Sequence, residues 1–537
     1  MDVKLSLNNY YNFFKLMEEM IDCINDDIDK INFIEDVYSY FYIKHPGVFY
    51  SRKFERVLID IASSIEWEAS KTYKSNSFLH VLSVPYETGG HTRVVERWIK
   101  YSNNSSVHSV AVTMGGYEIA KKLFEDIVSD KNGKVYLLEE VNQIEKAKNL
   151  RKLASHYEYI ILHHHMQDSI PLLAFGVEDF ERPVIVYDHA QHCLWLGASI
   201  TDHLLALSTS IIDFIKIKRK INYVSVVGIP LENKIIKEKD NSKKNEIKKK
   251  LGIRLDAKVI LSIGSEYKYS GLDFINYIEN VLSITDKNVI FIIIGPSINN
   301  ISWKSLKDRF PERVYVLGQV ENKFIYDYYD VADLYVDSYP VPGGTAFNDA
   351  VTRKINAIAL KGGYFDIDIK KYFELSFDNW VQRTIELLKE ESFIFNNAIE
   401  ELNNLIPETW ASIVYNKIKQ GPRKHKINDD VYKNGSEDIH FQPYDYFWHK
   451  QNLILKENGV ISDSIDFIFK YTEKYPNLDK VVEYYFKVIK GYSSINYKKY
   501  YIIFKIKKIA IKTGLIHVLK FIIKIFKSLK KLLKGNK

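Results

Sequence analysis

The spacing of apolar positions changes character twice along the chain. Residues 1–75 repeat apolar side chains every three or four positions, as in YYNFFKLMEEMIDCI and FERVLIDIASSI, which predicts amphipathic helices. No glycine occurs before Gly47. From about residue 78 the pattern becomes short apolar runs separated by loops and helical stretches: FLHVLSVPY, VHSVAVTM, KVYLLE, YEYIILHHH, PVIVYDHA, HLLALSTS and YVSVVGIP. A polar stretch almost without glycine (232–253) interrupts it. The alternation then restarts with AKVILSIGS, NVIFIIIGP, RVYVLGQV, DLYVDSYP and INAIALKGG. Strands alternating with helices predict parallel, doubly wound sheets.

Two such stretches of about 150 residues, joined by a polar connector, predict two Rossmann-like domains facing a cleft. The expected division is a helical N-terminal region (1–75), a first domain (76–230), a second domain (231–420) and a helical extension (421–537). Ligands of doubly wound sheets bind beyond the carboxyl ends of the strands, so the loops there carry the candidate chemistry.

Composition narrows the class. The chain has 537 residues, 46% hydrophobic and 27% charged, as folded proteins do. Its two cysteines, Cys23 and Cys193, cannot build a disulfide framework and fit a reducing cytoplasm. The first residues hold acids and no uninterrupted apolar core, so no secretory signal is expected. The net charge is +7, but fifteen lysines follow Glu483 and no acid does. Subtracting those fifteen leaves −8 for residues 1–483, which argues against nucleic acid as a partner of the body.

Five loops stand out. VPYETGGHTRVVERW (84–98) sets Gly89 and Gly90 before a helix whose first turn holds His91 and Arg93; it lacks the full G-x-G-x-x-G pattern of nicotinamide sites. IILHHHMQDSIPLL (160–173) ends a strand in three histidines. Alternation places His163 and His165 on one side and His164 on the other, so two ligands without a third make a poor zinc site, and cleft-lining or capping roles stand beside it. VYDHAQHCLWLG (186–197) clusters Asp188, His189 and His192, a carboxylate beside imidazoles suited to acid–base work or to simple packing against Trp195. LSIGSEYKYSG (261–271) offers Ser265, Tyr267 and Lys268 after a strand. YVDSYPVPGGTAFNDA (335–350) sets Gly343, Gly344 and Thr345 at the mouth of a helix with Asp349 about one turn inside, where backbone N–H groups could take an anion.

Together these loops resemble the GT-B glycosyltransferases, and within them the O-GlcNAc-transferase-like branch and its bacterial relatives that glycosylate flagellin and adhesins. The likeness spans about residues 78–400 and rests on GGHTR, YKYSG and PGGTAFNDA in that order. It implies a nucleotide sugar, UDP-GlcNAc for example, with its diphosphate on Gly343–Thr345, its ribose on Asp349 and its leaving group neutralised by Lys268. It implies a donor site that also includes Gly89, Gly90, Ser265 and Tyr267. His91 or His189 would position or deprotonate an acceptor hydroxyl, with Arg93, His165, Asp188 and His192 on the acceptor side. The acceptor would be a Ser or Thr of a surface protein such as flagellin, or a lipid or polysaccharide intermediate; a catalytically silent acceptor-binding subunit is the alternative in kind. Retaining members carry two glutamates seven residues apart here. The first position falls near apolar Val341, which points away from retention. There is no convincing D-x-D metal motif, Asp366-Ile367-Asp368 lying beyond the donor loop, so neither a metal nor a cofactor beyond the donor is expected.

The C-terminus adds a separate expectation. Lys520, Lys524, Lys527, Lys531 and Lys534 recur every three or four residues among Leu, Ile and Phe. The pattern predicts a basic amphipathic helix for an anionic membrane surface, or a terminal helix packed on protein. On the first alternative, residues 498–537 would hold a cytoplasmic protein peripherally on the inner face of the membrane.

Overall fold

The computed structural model describes residues 3–42, 46–68, 70, 72–87, 90–191, 193–231, 241–269, 272–360, 374–390, 392, 401–433, 467 and 506. The lysine-rich tail, Gly89, His192 and the 366–368 acids lie outside them, apart from Ile506.

The apolar runs become two all-parallel sheets. The first is ordered β3-β2-β1-β4-β5-β6-β7, from β1 (Lys74–Leu82), β2 (Val107–Val112), β3 (Val135–Leu137), β4 (Tyr157–His163), β5 (Val184–Tyr187), β6 (His203–Ala206) and β7 (Val224–Val226). The second is ordered β10-β9-β8-β11-β12-β13, from β8 (Lys258–Ile263), β9 (Val289–Ile294), β10 (Val314–Val316), β11 (Leu334–Val336), β12 (Asn356–Leu360) and β13 (Glu374–Leu375). In each sheet the chain starts centrally, builds one flank, then returns beside its first strand. That reversal opens a crevice at the carboxyl ends of β1 and β4, and of β8 and β11. The expected GT-B architecture of two Rossmann-like units is what the chain adopts.

Helices cover both faces of the sheets, which is why a strand such as VIFIII of β9 is buried along its whole length. On one face of the second sheet, Tyr277 stacks on Trp380 with ring centroids 3.8 Å apart. A continuous apolar cluster runs from Phe78, Trp98 and Tyr187 through Leu231, Leu405 and Trp410 to Val259 and Ile292, joining the two sheets. The helix Pro407–Gln420 follows the second sheet in sequence but packs on the first. Trp410 Nε1 donates to the Val227 carbonyl at 2.8 Å, and Lys419 pairs with Glu158 at 3.3 Å.

The helix Arg52–Ser64 belongs with the first sheet. Its fully buried Glu55 accepts from the backbone N–H groups of Gly197 and Ser199, at 2.7 and 3.1 Å. The helices Val3–Met20 and Asp27–Phe41 fall in a separate unit, whose N-terminal segment ends at Gly47 and which also includes Phe467. Its core is aromatic: Phe13 and Phe14 against Phe41, and Phe467 against Phe13 and Tyr40. Among the described residues no helix is long and apolar enough to cross a membrane.

Candidate active site

The cleft at the strand ends has a volume of about 520 Å³. The first Rossmann-like unit contributes Gly90, Arg93, Val94 and Arg97, all from the helix Gly90–Tyr101, together with Ile229. Arg93 and Arg97 share a face because they stand four residues apart. The second unit contributes the residues that close its strands: Gly264, Ser265 and Lys268 after β8, Gly295 after β9, Gln319 and Val320 after β10, and Gly343, Thr345 and Asp349 after β11. Seven residues singled out in the sequence therefore meet here: Gly90, Arg93, Ser265, Lys268, Gly343, Thr345 and Asp349.

Two loops form one cradle. Lys268 Nζ donates to the carbonyls of Pro342 and Gly343 at 3.1 and 3.2 Å, and Val341 N–H returns to the Lys268 carbonyl at 3.2 Å. Beneath the cradle, buried Asp337 accepts the Gly343 N–H through both carboxylate oxygens, each at 3.0 Å. The resemblance implies a diphosphate on Gly343–Thr345, and of these the Gly343 N–H is committed to Asp337. The N–H groups left for a ligand are those that open the helix Thr345–Thr352, which have no acceptor inside the helix. Gly344, at φ +67°, makes the entry turn. Tyr329 fixes the same helix through a 2.8 Å bond from its hydroxyl to the Ala346 carbonyl.

The other named residues among those described do not line the cleft. His91 turns its Nε2 into the His163 carbonyl at 2.5 Å, leaving Nδ1 buried without a partner, and burial lowers its pKa to about 4. Its ring is 4.4 Å from that of His189 and 5.6 Å from that of His165, which stacks on Tyr86. Asp188 is buried, with one carboxylate oxygen unpaired, and burial raises its pKa to about 6. Tyr267 is exposed, and Gly344 is not among the lining residues. His163 and His165 do not converge on a metal: among the described residues no group of three or more His, Cys, Asp or Glu could hold one.

What they do form is a chain of four imidazoles. His108 Nδ1 meets His80 Nε2 at 2.9 Å, His80 Nδ1 meets His163 Nε2 at 3.1 Å, and His163 Nδ1 meets His189 Nε2 at 3.0 Å. Strand pairing sets Phe78 beside His108 and Leu82 beside His163, so the chain crosses one face of the sheet diagonally toward the cleft end. Burial holds His80 down to about 3 and the other three well below the usual range. His80 and His108 carry no sequence signal, each being one polar residue within an apolar run. Arg97 could have been found, as the residue four beyond Arg93. Asp337 reads in sequence only as an acid ending a strand.

The family model of CDP-Glycerol:Poly(glycerophosphate) glycerophosphotransferase matches residues 72–263, which is the first Rossmann-like unit and the opening strand of the second. No curated protein matches the chain. Among solved structures, Anabaena HepE in complex with UDP aligns at 13% identity over 64% of this chain and 100% of its own, with a TM-score of 0.49. An O-GlcNAc transferase variant from Thermobaculum terrenum aligns at 9% over 76% and 83%, with a TM-score of 0.48. The lipopolysaccharide outer core galactosyltransferase WaaB aligns at 15% over 64% and 99%, also at 0.48. All three scores lie below 0.5, so the fold rests on the strand order described above.

Proposed function

We propose that this protein is a GT-B-type glycosyltransferase that moves a sugar from a nucleoside diphosphate, a UDP-sugar such as UDP-GlcNAc, to an acceptor hydroxyl. The observation that carries this reading is the convergence of Lys268, the opening turn of the helix Thr345–Thr352 and Asp349 in one cleft. The Lys268 ammonium and the free N–H groups offset the charge growing on the departing diphosphate. Asp349 accepts from ribose hydroxyls. With these groups supplying the positive charge, the proposed reaction uses neither a metal ion nor a cofactor besides the donor. The acceptor, a Ser or Thr of a surface protein such as flagellin or a sugar of a membrane-borne glycan, enters along the Arg93 and Arg97 face. His91, two residues before Arg93 on the same helix, and His189, whose ring is 4.4 Å from that of His91, are the groups that would take its proton.

The family match over residues 72–263 favours a second reading, glycerophosphate transfer from a CDP-glycerol-type donor. The two differ in the bond broken. Sugar transfer cleaves the anomeric C–O bond and releases UDP; glycerophosphate transfer cleaves a P–O bond and releases CMP. Incubating the full chain with UDP-GlcNAc, UDP-glucose and CDP-glycerol, and following thermal stabilisation and released nucleotide, separates them. The expected result is stabilisation by a UDP-sugar and slow UDP release. Lys268→Ala is expected to lower that release by about 100-fold or more, as loss of one charge-stabilising group does elsewhere. CMP release would select the second reading. No stabilisation by any donor would overturn both and leave a silent acceptor-binding subunit.

A further inference from the structure

The direction of the hydrogen bonds along the histidine chain is decided at its closed end. Ser106, 1% exposed, lies 2.5 Å from the carbonyl oxygen of Asn103 through Oγ. Two oxygens at that distance require a proton between them, and only the serine can supply it. The hydroxyl is thereby spent, so toward His108 Nε2, 2.9 Å away, Ser106 Oγ can only accept. His108 must then carry its proton on Nε2 and present Nδ1 as an acceptor. A neutral imidazole donates from one nitrogen and accepts at the other. The same assignment therefore passes to His80, then His163, then His189, each donating from Nε2 to the Nδ1 of the residue before it. Among the described residues the buried chain has no acidic partner that would favour a protonated member, and Phe78 stacked on His108 and Trp98 edge-on to His80 wall it off.

At the open end only one atom is left over. His189 is half-buried, and its Nδ1 has no partner among the described residues. Because Nε2 is committed to donating, Nδ1 must hold a lone pair. We propose that Ser106, acting through His108, His80 and His163, locks His189 in its Nε2–H tautomer and so presents Nδ1 of His189 as the base toward the acceptor hydroxyl. The inference rests on the glycosyl-transfer reading for the identity of the reacting proton. In that step the acceptor O–H proton moves to Nδ1, its electron pair forms the bond to the anomeric carbon, and the pair of the cleaved C–O bond leaves on the diphosphate. His163, His80, His108 and Ser106 are positioning residues. Reversing the chain would put the proton of His189 on Nδ1 and remove the base, and it would require Ser106 to withdraw its hydrogen from Asn103.

The test needs no substrate. In the full chain labelled with ¹⁵N-histidine, long-range ¹H–¹⁵N correlations distinguish Nε2–H from Nδ1–H rings, with His189 assigned by its loss in His189→Gln. His189 is expected as a single neutral Nε2–H tautomer between pH 6 and 8. Ser106→Ala is expected to mix the two tautomers, and Ser106→Thr, which keeps the hydroxyl, to restore one. An Nδ1–H signal for His189 in the unaltered protein overturns the proposal. So does a Ser106→Ala spectrum identical to it. The unaltered spectrum is decisive even if the Ala variant fails to fold. Because the readout is independent of donor and acceptor, failure here leaves glycosyl transfer standing, and failure of donor binding leaves the tautomer result standing.

Discussion

Gly90 and Gly343 both line the cleft, and they are glycine for different reasons. A Cβ on Gly343 would stand 2.3 Å from Asp337 Oδ1 and 3.1 Å from the Tyr335 hydroxyl, so the loop or the carboxylate must move. A Cβ on Gly90 would meet no atom within 4 Å among the described residues beyond its own helix backbone and chain neighbours. Nothing among the described residues requires glycine there; a ligand filling the cleft would. Gly343→Ala is therefore expected to lower stability by roughly 1–3 kcal/mol, the usual range for forced overpacking, and to weaken UDP binding with it. Gly90→Ala should leave the melting temperature unchanged or slightly raised, since alanine costs less to order in a first helical turn. It should nonetheless weaken binding of the UDP-sugar several-fold. Calorimetric titration beside thermal melts checks both, and a Gly90→Ala protein that binds normally would show that the ligand does not approach this turn. The glycines were legible because Gly-Gly before a helix is a recognisable arrangement. Their partner Asp337 was not, because a lone acid after an apolar run reads the same whether it is solvated or clamps a loop.

The helix Pro407–Gln420 ties the chain's return to its first sheet, and Trp410 is its anchor. The indole is fully buried, lies edge-on to Trp98 with centroids 5.5 Å apart, and donates to the Val227 carbonyl. Trp410→Ala is expected to cost about 3–5 kcal/mol, as large-to-small core substitutions of this size do. Trp410→Phe keeps most of the volume but leaves the carbonyl unpaired, at about 1–3 kcal/mol. Denaturant unfolding measures both; an unchanged Trp410→Phe would mean that the hydrogen bond contributes nothing, and equal losses would mean that it accounts for the whole cost. The sequence placed this stretch in the second domain, and nothing in it named the sheet that the helix covers, since an amphipathic stripe names no partner. The first twelve strands were legible because apolar runs ended at glycine, proline or a charge. β13, two residues long, offered no such run. The histidine diagonal was hidden for a related reason: His80 and His108 become neighbours only once register is fixed, and register is a property of the sheet.

The buried imidazoles add up to a property of the whole fold. His80 is held to about 3, His91 and His203 to about 4, and His108, His163 and His189 well below the usual range, in each case first by burial. Unfolded, each would titrate near ~6.5. Below that pH the unfolded chain takes up protons that the folded chain refuses, so this stability is fully present above about 6.5 and is lost as pH falls toward the folded values. Each group contributes a slope of up to ~1.4 kcal/mol per pH unit in that window. Two buried acids act the other way. Glu55 and Asp188 have raised pKa values, Asp188 at about 6, again through burial. Between their unfolded values near ~4 and their folded values, they keep protons in the native state and favour folding as pH drops. Burial lowers His164 and His165 as well, so eight groups oppose two, and the eight begin to act at the higher pH. The melting temperature should therefore be level from pH 8 to 7 and fall by several degrees per unit below about 6.5, well before ordinary carboxylates titrate. Thermal melts from pH 8 to 5 at constant ionic strength check this, and equal melting temperatures at pH 7 and pH 5 would show that the histidines can charge without unfolding the sheet.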